Sequence, residues 1–486
     1  MNTVKRGNKT YKITIGLEVH AQVASKKKLF SNAPVSSLED ANTAVSFVDC
    51  GMPGMLPVLN FDCIELAVKT GLAINAEINK KSQFDRKHYF YPDLPQGYQI
   101  TQLYEPIVKN GYIEIETSDE LTKKIRIKQI HLEQDAGKLV HDKKEGCSYI
   151  DYNRSGIPLM EIVSEPDLSS IEEVMLYIKS LRAILREVGS SDADMEKGNF
   201  RCDVNISLNE LDDTEWGTRC EIKNLNSFKS IAKAIEYEAN RQADILYDGG
   251  SVRQQTRLYD QDKNETRTLR DKDDADDYRY FPDPDLLPVN LTDEFISSIR
   301  QKMPKLPSEI LNHYVNVYNI QKKEASVIVF DHEIREFFEK VIEITKDPKL
   351  SCSWLTTELL GRLNKLQIDF NNSPVTPINL AQLIQRIQDS TISGKIAKDV
   401  LDIMIQESKS PDQIIKEKGL VQVTDISEIE KFAKEVLEKN QDKVLEYKSG
   451  KERMFGFFVG EAMKLAKGKA NPQSLTDVLK KLLQSK

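Results

Sequence analysis

The sequence predicts an α+β protein, an antiparallel sheet followed by helices, on three observations. Tyr11 to Gln22, YKITIGLEVHAQ, alternates apolar and polar residues with the period of two that a half-buried strand requires. The alternation recurs in Arg201 to Leu208, in Thr218 to Lys223 and around Ile130 to Glu133. From Thr292 onward it gives way to the three-and-four spacing of short amphipathic helices, as in EFISSIRQKM, HEIREFFEKVIEI and INLAQLIQRIQ.

The first strand sets Ile13, Ile15, Leu17, Val19 and Ala21 on one side and Thr14, Gly16, Glu18, His20 and Gln22 on the other. One side is built for a core. The other brings Glu18 and His20 together at i and i+2, where a carboxylate and an imidazole can share a metal ion or a proton. In RCDVNISL, Cys202, Val204, Ile206 and Leu208 alternate with Arg201, Asp203, Asn205 and Ser207. In TRCEIK, Cys220 and Ile222 alternate with Arg219, Glu221 and Lys223. Ile130 and Leu132 alternate with His131 and Glu133, but Ile125 and Ile127 sit in the opposite phase, so a bulge near Gln129 is required. Four strands thus pair an oily side with a charged one, as in a sheet that packs on helices and presents its other face to a polyanionic, metal-bound substrate.

Between these strands, Lys26 to Asn60 reads as a loop ending in GMPGMLPVLN, and Phe61 to Ile74 as a helix closed near Gly71. Phe84 to Gln102 crowds Arg86, Lys87, His88, Tyr89, Tyr91 and Tyr98 into a turn-rich segment. Half-buried aromatics beside a hairpin account for the tyrosines; a phosphate or nucleotide site accounts for the adjoining cations as well. Asp151 to Leu168 holds Arg154 in a Ser-Gly turn and then an apolar run containing Glu161 and Glu165, costly positions for carboxylates unless paired or metal-bound.

Ser170 with Glu173 makes a capping box for a helix striped by Met175, Ile178, Leu181, Ile184, Leu185 and Val188, and Gly189 stops it. Ser227 opens a second helix, which runs to about Leu246 before Asp248-Gly249-Gly250. Seven aspartates lie between Asp271 and Asp285; Asp271 to Asp277 reads as a solvated loop. The prolines of YRYFPDPDL fix an extended path that lays Tyr278, Arg279 and Tyr280 along a neighbouring surface.

A chain of 486 residues, 40% of them apolar, supports two or three domains with real cores. Its net charge of −8 argues against a general nucleic-acid coat. Residues 441–486 nevertheless carry ten Lys and Arg against five Asp and Glu, a local excess that suits an RNA backbone, and Gly456 and Gly460 there are expected to permit close helix packing. The six cysteines are scattered without a CxxC, which signals neither a zinc knuckle nor a disulfide framework and fits a reducing compartment. With no apolar leader and no membrane-length run, a cytoplasmic protein is expected. Neither G-x-x-x-x-G-K-[ST] nor G-x-G-x-x-G occurs, so any ATP is bound without a P-loop or Rossmann turn.

Seven stretches, IGLEVHAQ, RKHYFYPDLPQGYQI, HLEQDAGK, DYNRSGIPLMEIVSEPDL, RCDVNIS, GTRCEIKNLNSF and DYRYFPDPDL, in this order and with KGKANPQ near the end, closely resemble the B-subunit family of bacterial and organellar aspartyl/glutamyl-tRNA amidotransferases. The likeness runs essentially end to end. Asp273 and Asp274 stand where the family often has glutamates, and Leu269 where methionine is common.

The resemblance implies a catalytic domain of the glutamine synthetase type over residues 1–292, a helical domain over 293–405 and a YqeY-like, tRNA-binding helical tail over 406–486. It implies ATP and Mg²⁺ as cofactors, an amidase-type A subunit that frees ammonia, a small C subunit, and mischarged Glu-tRNA(Gln) or Asp-tRNA(Asn) as substrate. By the same resemblance, ATP phosphorylates the side-chain carboxylate and ammonia displaces the phosphate. Glu18, His20 and Glu133 match the family's metal site, with His20 expected to act through water because magnesium prefers oxygen ligands. Lys87 and Tyr89 match its active-site lining. Glu161, Asp203, Arg219 and Glu221 are further catalytic candidates on the same face, and Arg86, His88 and Arg154 are candidates for binding the nucleotide. The rival reading is a tRNA-binding scaffold without catalysis, which needs no metal-site carboxylates.

Overall fold

The computed structural model describes residues 3–484 apart from 36–39, 143–145, 272–277, 421–425, 449–450, 452, 467–469 and 471. Most of the aspartate-rich loop, including Asp273 and Asp274, and part of KGKANPQ therefore lie outside the described residues. The chain divides into two compact units, Met1–Pro307 and Ser308–Lys486.

The first unit is built on ten strands: β1 (Thr3–Arg6), β2 (Lys9–Gln22), β3 (Glu77–Ile78), β4 (Val108–Glu116), β5 (Thr122–Gln134), β6 (Pro158–Ser164), β7 (Phe200–Glu210), β8 (Cys220–Lys223), β9 (Gln255–Asp260) and β10 (Glu265–Asp271). They form one sheet in the order β10, β9, β8, β7, β2, β6, β5, β4, β3, with β1 paired to β2. The sheet is mixed rather than purely antiparallel, because β8 and β9 run parallel. The helix between them supplies the long crossover that parallel neighbours need.

Tyr11, Ile15, Leu17, Val19 and Ala21 are at most 1% exposed, so the alternation of β2 delivers its apolar side to the core as expected. That core is closed by α1 (Phe61–Ala73), α2 (Ile171–Glu187) and α3 (Phe228–Tyr247). Each fully buried Leu or Ile contributes roughly 1.5–3 kcal/mol, so this layer dominates the unit's stability. The required bulge is present: Val163 faces Gln129 while Ser164 faces Ile127, skipping Lys128. Ile125, Ile127, Ile130 and Leu132 consequently all reach the core.

Two capping expectations change in detail. Gly71 does not end α1, which continues to Ala73; a Cβ there would stand 2.7 Å from Ile78 Cδ1 and from Val108 Cγ2, so glycine lets the helix lie close on the sheet. Ser170 caps α2 by accepting from the Glu173 amide, while the Glu173 carboxylate accepts from Ser169 N at 2.7 Å and pairs with Lys123 instead of closing a reciprocal box. Ser227 caps α3 as expected.

Helices take over at Asp293, as the periodicity predicts, while the division between the compact units follows one helix later, at Pro307. Helix α4 (Asp293–Gln301) buries Ile299 in the sheet unit's core and sets Phe295 edge-on to Phe61 at 5.4 Å. The second unit is helical and holds two apolar clusters, one from Tyr314 to Ile415 and one from Ile429 to Leu483. The helix Pro411–Lys418 gives Ile414 and Ile415 to the first cluster. Among the described residues a Cβ at Gly456 or Gly460 would meet nothing within 4 Å, so the expected close helix packing is not made there; Phe458 and Ala462 are the buried residues of the helix that carries these glycines. All six cysteines are free, and among the described residues no helix is long and apolar enough to cross a membrane.

Candidate metal centre

Strand order decides which polar residues meet. Because β6 lies between β2 and β5, Glu161 stands opposite His20 on one side and His131 on the other. Opposed residues on neighbouring strands project from the same face, and Glu133 joins them two residues along β5. His20 Nε2 lies 3.4 Å from Glu161 Oε2 and 3.6 Å from Glu133 Oε1. His131 Nε2 lies 3.0 Å from Glu161 Oε2 and 3.6 Å from Glu133 Oε2. One ligand atom from each of His20, Glu133 and Glu161 fits within 4.8 Å of the others, the spacing of a cation site.

Glu18 stands outside this group. It faces Asp203 across β7 and accepts a hydrogen bond from Asn205 Nδ2 at 2.9 Å. Its neighbourhood is a second polar row, in which Lys223 Nζ bridges Asp203 at 2.7 Å and Glu221 at 2.9 Å, and Thr256 donates to Glu221. Arg219 is exposed just ahead of β8.

A small three-stranded sheet, Asp85–His88, Tyr98–Thr101 and Phe281–Pro282, covers part of the face. Thr101 donates to Glu133 at 3.2 Å, Gln99 to the Gln134 carbonyl at 2.9 Å, and the Gln102 side chain accepts from Leu132 N. This cover is why His131 and Glu133 are buried, at 8% and 4% exposure, although alternation alone leaves them on an open side.

Of YRYFPDPDL only Phe281–Pro282 runs as strand along that sheet, with Phe281 opposite Arg86; the extended path expected through Tyr278 and Tyr280 is broken at Arg279, whose φ is +45°. Arg86 binds Asp283 and Asp285, each at 2.8 Å, and caps the Tyr98 ring at 4.2 Å. His88 stacks on Phe281 and meets the Arg279 carbonyl at 3.1 Å. Two of the three residues expected to bind nucleotide, Arg86 and His88, are thus engaged in holding this strip. Lys87 differs: its ammonium stands 4.9 Å over Tyr278 and 5.9 Å from Tyr89, with no ion pair among the described residues. Arg154 binds Asp135 at 2.5 Å.

Residues 13–297 match the model of the GatB/GatE catalytic domain, and residues 336–483 match that of the GatB domain. The chain belongs to the GatB family. It is 52% identical over 475 residues to the aspartyl/glutamyl-tRNA(Asn/Gln) amidotransferase B subunit of Rickettsia rickettsii (strain Iowa), covering 98% of each chain. It is 51% identical over 485 residues to the protein of the same name from Rickettsia canadensis and 50% identical to that from Rickettsia bellii, in both cases over the full length of the two chains.

In this GatB-family chain the electrostatics of the cluster are unusual. Burial alone pulls the His20 imidazole down, but the charge and hydrogen bond of Glu161 and the charges of Glu133 and Asp203 outweigh it and push it up to about 9. The same contest, again led by burial and won by Glu161 and Glu133, pushes His131 up to about 10. Burial favours a protonated Glu161, yet His131 and His20 hold its carboxyl well below the usual range. Both imidazoles are thus drawn towards their protonated form by the carboxylates beside them. Burial, then the charge of Glu133, raises the phenols of Tyr89 and Tyr280, so both remain neutral walls of the site.

His131 is the site residue that motif matching passed over. Its signal was present, since it shares a face with Glu133 two residues away.

Proposed function

We propose that this chain is the subunit of a tRNA-dependent amidotransferase that activates the side-chain carboxylate of Glu on tRNA(Gln) or of Asp on tRNA(Asn). ATP transfers its terminal phosphoryl group to the carboxylate and leaves as ADP. Ammonia then attacks the acyl carbon, phosphate departs with the C–O electron pair, and the amide remains. Ammonia comes from an amidase-type A subunit with a small C subunit in the complex, in the cytoplasm. On this reading the mixed sheet does the work of a glutamine synthetase type of domain.

The observation that carries the reading is the gathering of His20, Glu133 and Glu161 around one point in a member of this family. The donor set fits a divalent cation, because two carboxylates and an imidazole converge there and no Lys or Arg pairs with Glu133 or Glu161 among the described residues. Such an ion, Mg²⁺ in the cell, supplies charge neutralisation at the transferring phosphoryl group. His131 orients Glu161, Lys87 reaches over its aromatic pair towards anionic oxygens, and Tyr89 and Tyr280 exclude water. Lys223 holds Asp203 and Glu221 in the neighbouring row.

The test is Glu133→Ala, assayed for ATP-dependent acyl-phosphate formation on Glu-tRNA(Gln) and Asp-tRNA(Asn). Loss of that step with tRNA binding intact is expected; unchanged turnover favours the scaffold. Removal of residues 421–486, the segment holding the last apolar cluster, is expected to weaken tRNA binding with a steep salt dependence and to spare nucleotide binding.

A further inference from the structure

Two guanidinium groups converge on one carboxylate oxygen beside the metal cluster. Arg154 Nε approaches Asp135 Oδ2 at 2.5 Å and Arg201 Nη2 approaches the same atom at 3.2 Å, while among the described residues Asp135 Oδ1 accepts only from Ala136 N. Arg201 begins on β7 directly opposite His20, and Asp135 follows the end of β5. Since β2 and β6 separate those strands, the Arg201 side chain spans the strands that carry His20 and Glu161. Tyr89 ties the two groups together, its phenol being raised by burial and then by the charges of both Glu133 and Asp135.

The clamp is only partly used within the chain. A guanidinium carries five N–H donors, and among the described residues each arginine spends one, on Asp135. Two positive charges share one negative, which leaves an excess of one. Both side chains are more than a third exposed, at 39% and 38%, whereas Asp135 is at 12%. A half-buried carboxylate thus holds two forked donors that reach outward next to a candidate cation site, the arrangement that binds a phosphoryl group from two sides.

We propose that Arg154 and Arg201, positioned by Asp135, grip the terminal phosphoryl oxygens of the nucleoside triphosphate, opposite the cation held by His20, Glu133 and Glu161. This rests on the function proposed above, and Arg201 and Asp135 are the residues it adds.

The test uses the full-length chain co-purified with its partner subunits. Binding of AMP-PNP with Mg²⁺ is measured by calorimetry, AMP serves as the control lacking a terminal phosphoryl group, and Mn²⁺ binding alone is read by electron paramagnetic resonance. Arg201→Gln is expected to weaken AMP-PNP by about 10- to 100-fold, as loss of a charge-assisted contact does, while AMP and Mn²⁺ affinities stay within about twofold. Arg201→Lys is expected to fall between, because a point charge cannot make the forked contact. Asp135→Asn should follow Arg201→Gln. AMP-PNP affinity unchanged in Arg201→Gln overturns the proposal, as does an equal loss for AMP or a loss confined to tRNA. If Arg201→Gln fails to fold, Arg201→Lys decides by the same criteria. A wild-type chain that binds no AMP-PNP removes the proposed function itself and the clamp with it, whereas wild-type binding with an indifferent variant removes only the clamp.

Discussion

Two buried carboxylate sites in the sheet unit solve the same electrostatic problem in opposite ways. Glu238 on α3 has no exposure and is surrounded by permanent partners: Arg241 at 2.6 Å, Arg257 at 3.2 Å, the Thr266 hydroxyl at 2.7 Å and the Gln242 amide at 2.9 Å. Glu133 and Glu161, on the other face, find two imidazoles whose charge depends on protons. A carboxylate matched by guanidinium is finished structure, with nothing left for a ligand. One matched by imidazolium can exchange that partner for a metal. Acidity and burial alone therefore do not mark a functional carboxylate; the permanence of its counter-charge does.

The contrast can be broken by experiment. Glu161→Gln is expected to lower ATP-dependent acyl-phosphate formation by about 10³-fold or more, some 4 kcal/mol of transition-state stabilisation, with little change in the melting temperature. A variant that retains full rate would leave the cluster without a chemical role. Glu238→Ala is expected to do the reverse, costing about 3–5 kcal/mol in denaturant titration because Arg257 is left buried and unpaired. A cost below about 1 kcal/mol would make the two sites alike.

Metal addition separates them further. Mn²⁺, which tolerates imidazole better than Mg²⁺, is expected to stabilise the chain by about 2.7 kcal/mol at a hundredfold excess over its dissociation constant. Thermal shift should show that gain surviving Glu238→Ala and vanishing in Glu161→Gln.

The smallest effect is on pH dependence, at most about 1.4 kcal/mol per unit for each group. His20 and His131 are raised on folding, so without metal their contribution is full below about pH 6.5 and lost as pH climbs through about 9 to 10. Burial would raise Glu238, but its bonds to Arg241, Gln242 and Thr266 hold it low, so its contribution is present above about 4.5 and lost on acidification. Melting curves should therefore have an alkaline limb that metal removes, and an acid limb to which Glu161 and Glu238 both contribute; an alkaline limb that persists with metal bound would take His20 and His131 out of the contrast.

Much of this was legible in the residues. The alternation of β2, β5, β7 and β8 assigned core and polar faces, and the phase break between Ile127 and Ile130 located the bulge. What periodicity cannot supply is neighbourhood. That Glu161 rather than Glu18 joins His20 follows from β6 lying between β2 and β5, a fact of strand order. The parallel pairing of β8 with β9 depends on how α3 crosses over, which its own pattern does not encode. Arg86 and His88 read as phosphate or nucleotide ligands until Asp283, Asp285 and Phe281 are seen beside them.

The skipped residue at Lys128 works as a clutch in the pleat. Upstream of it, β5 is plain scaffolding; downstream, the same strand turns His131 and Glu133 towards His20 and Glu161. Shortening the strand by that one residue would swing both side chains half a turn into the hydrocarbon interior and dismantle the cluster through a change that touches none of its members.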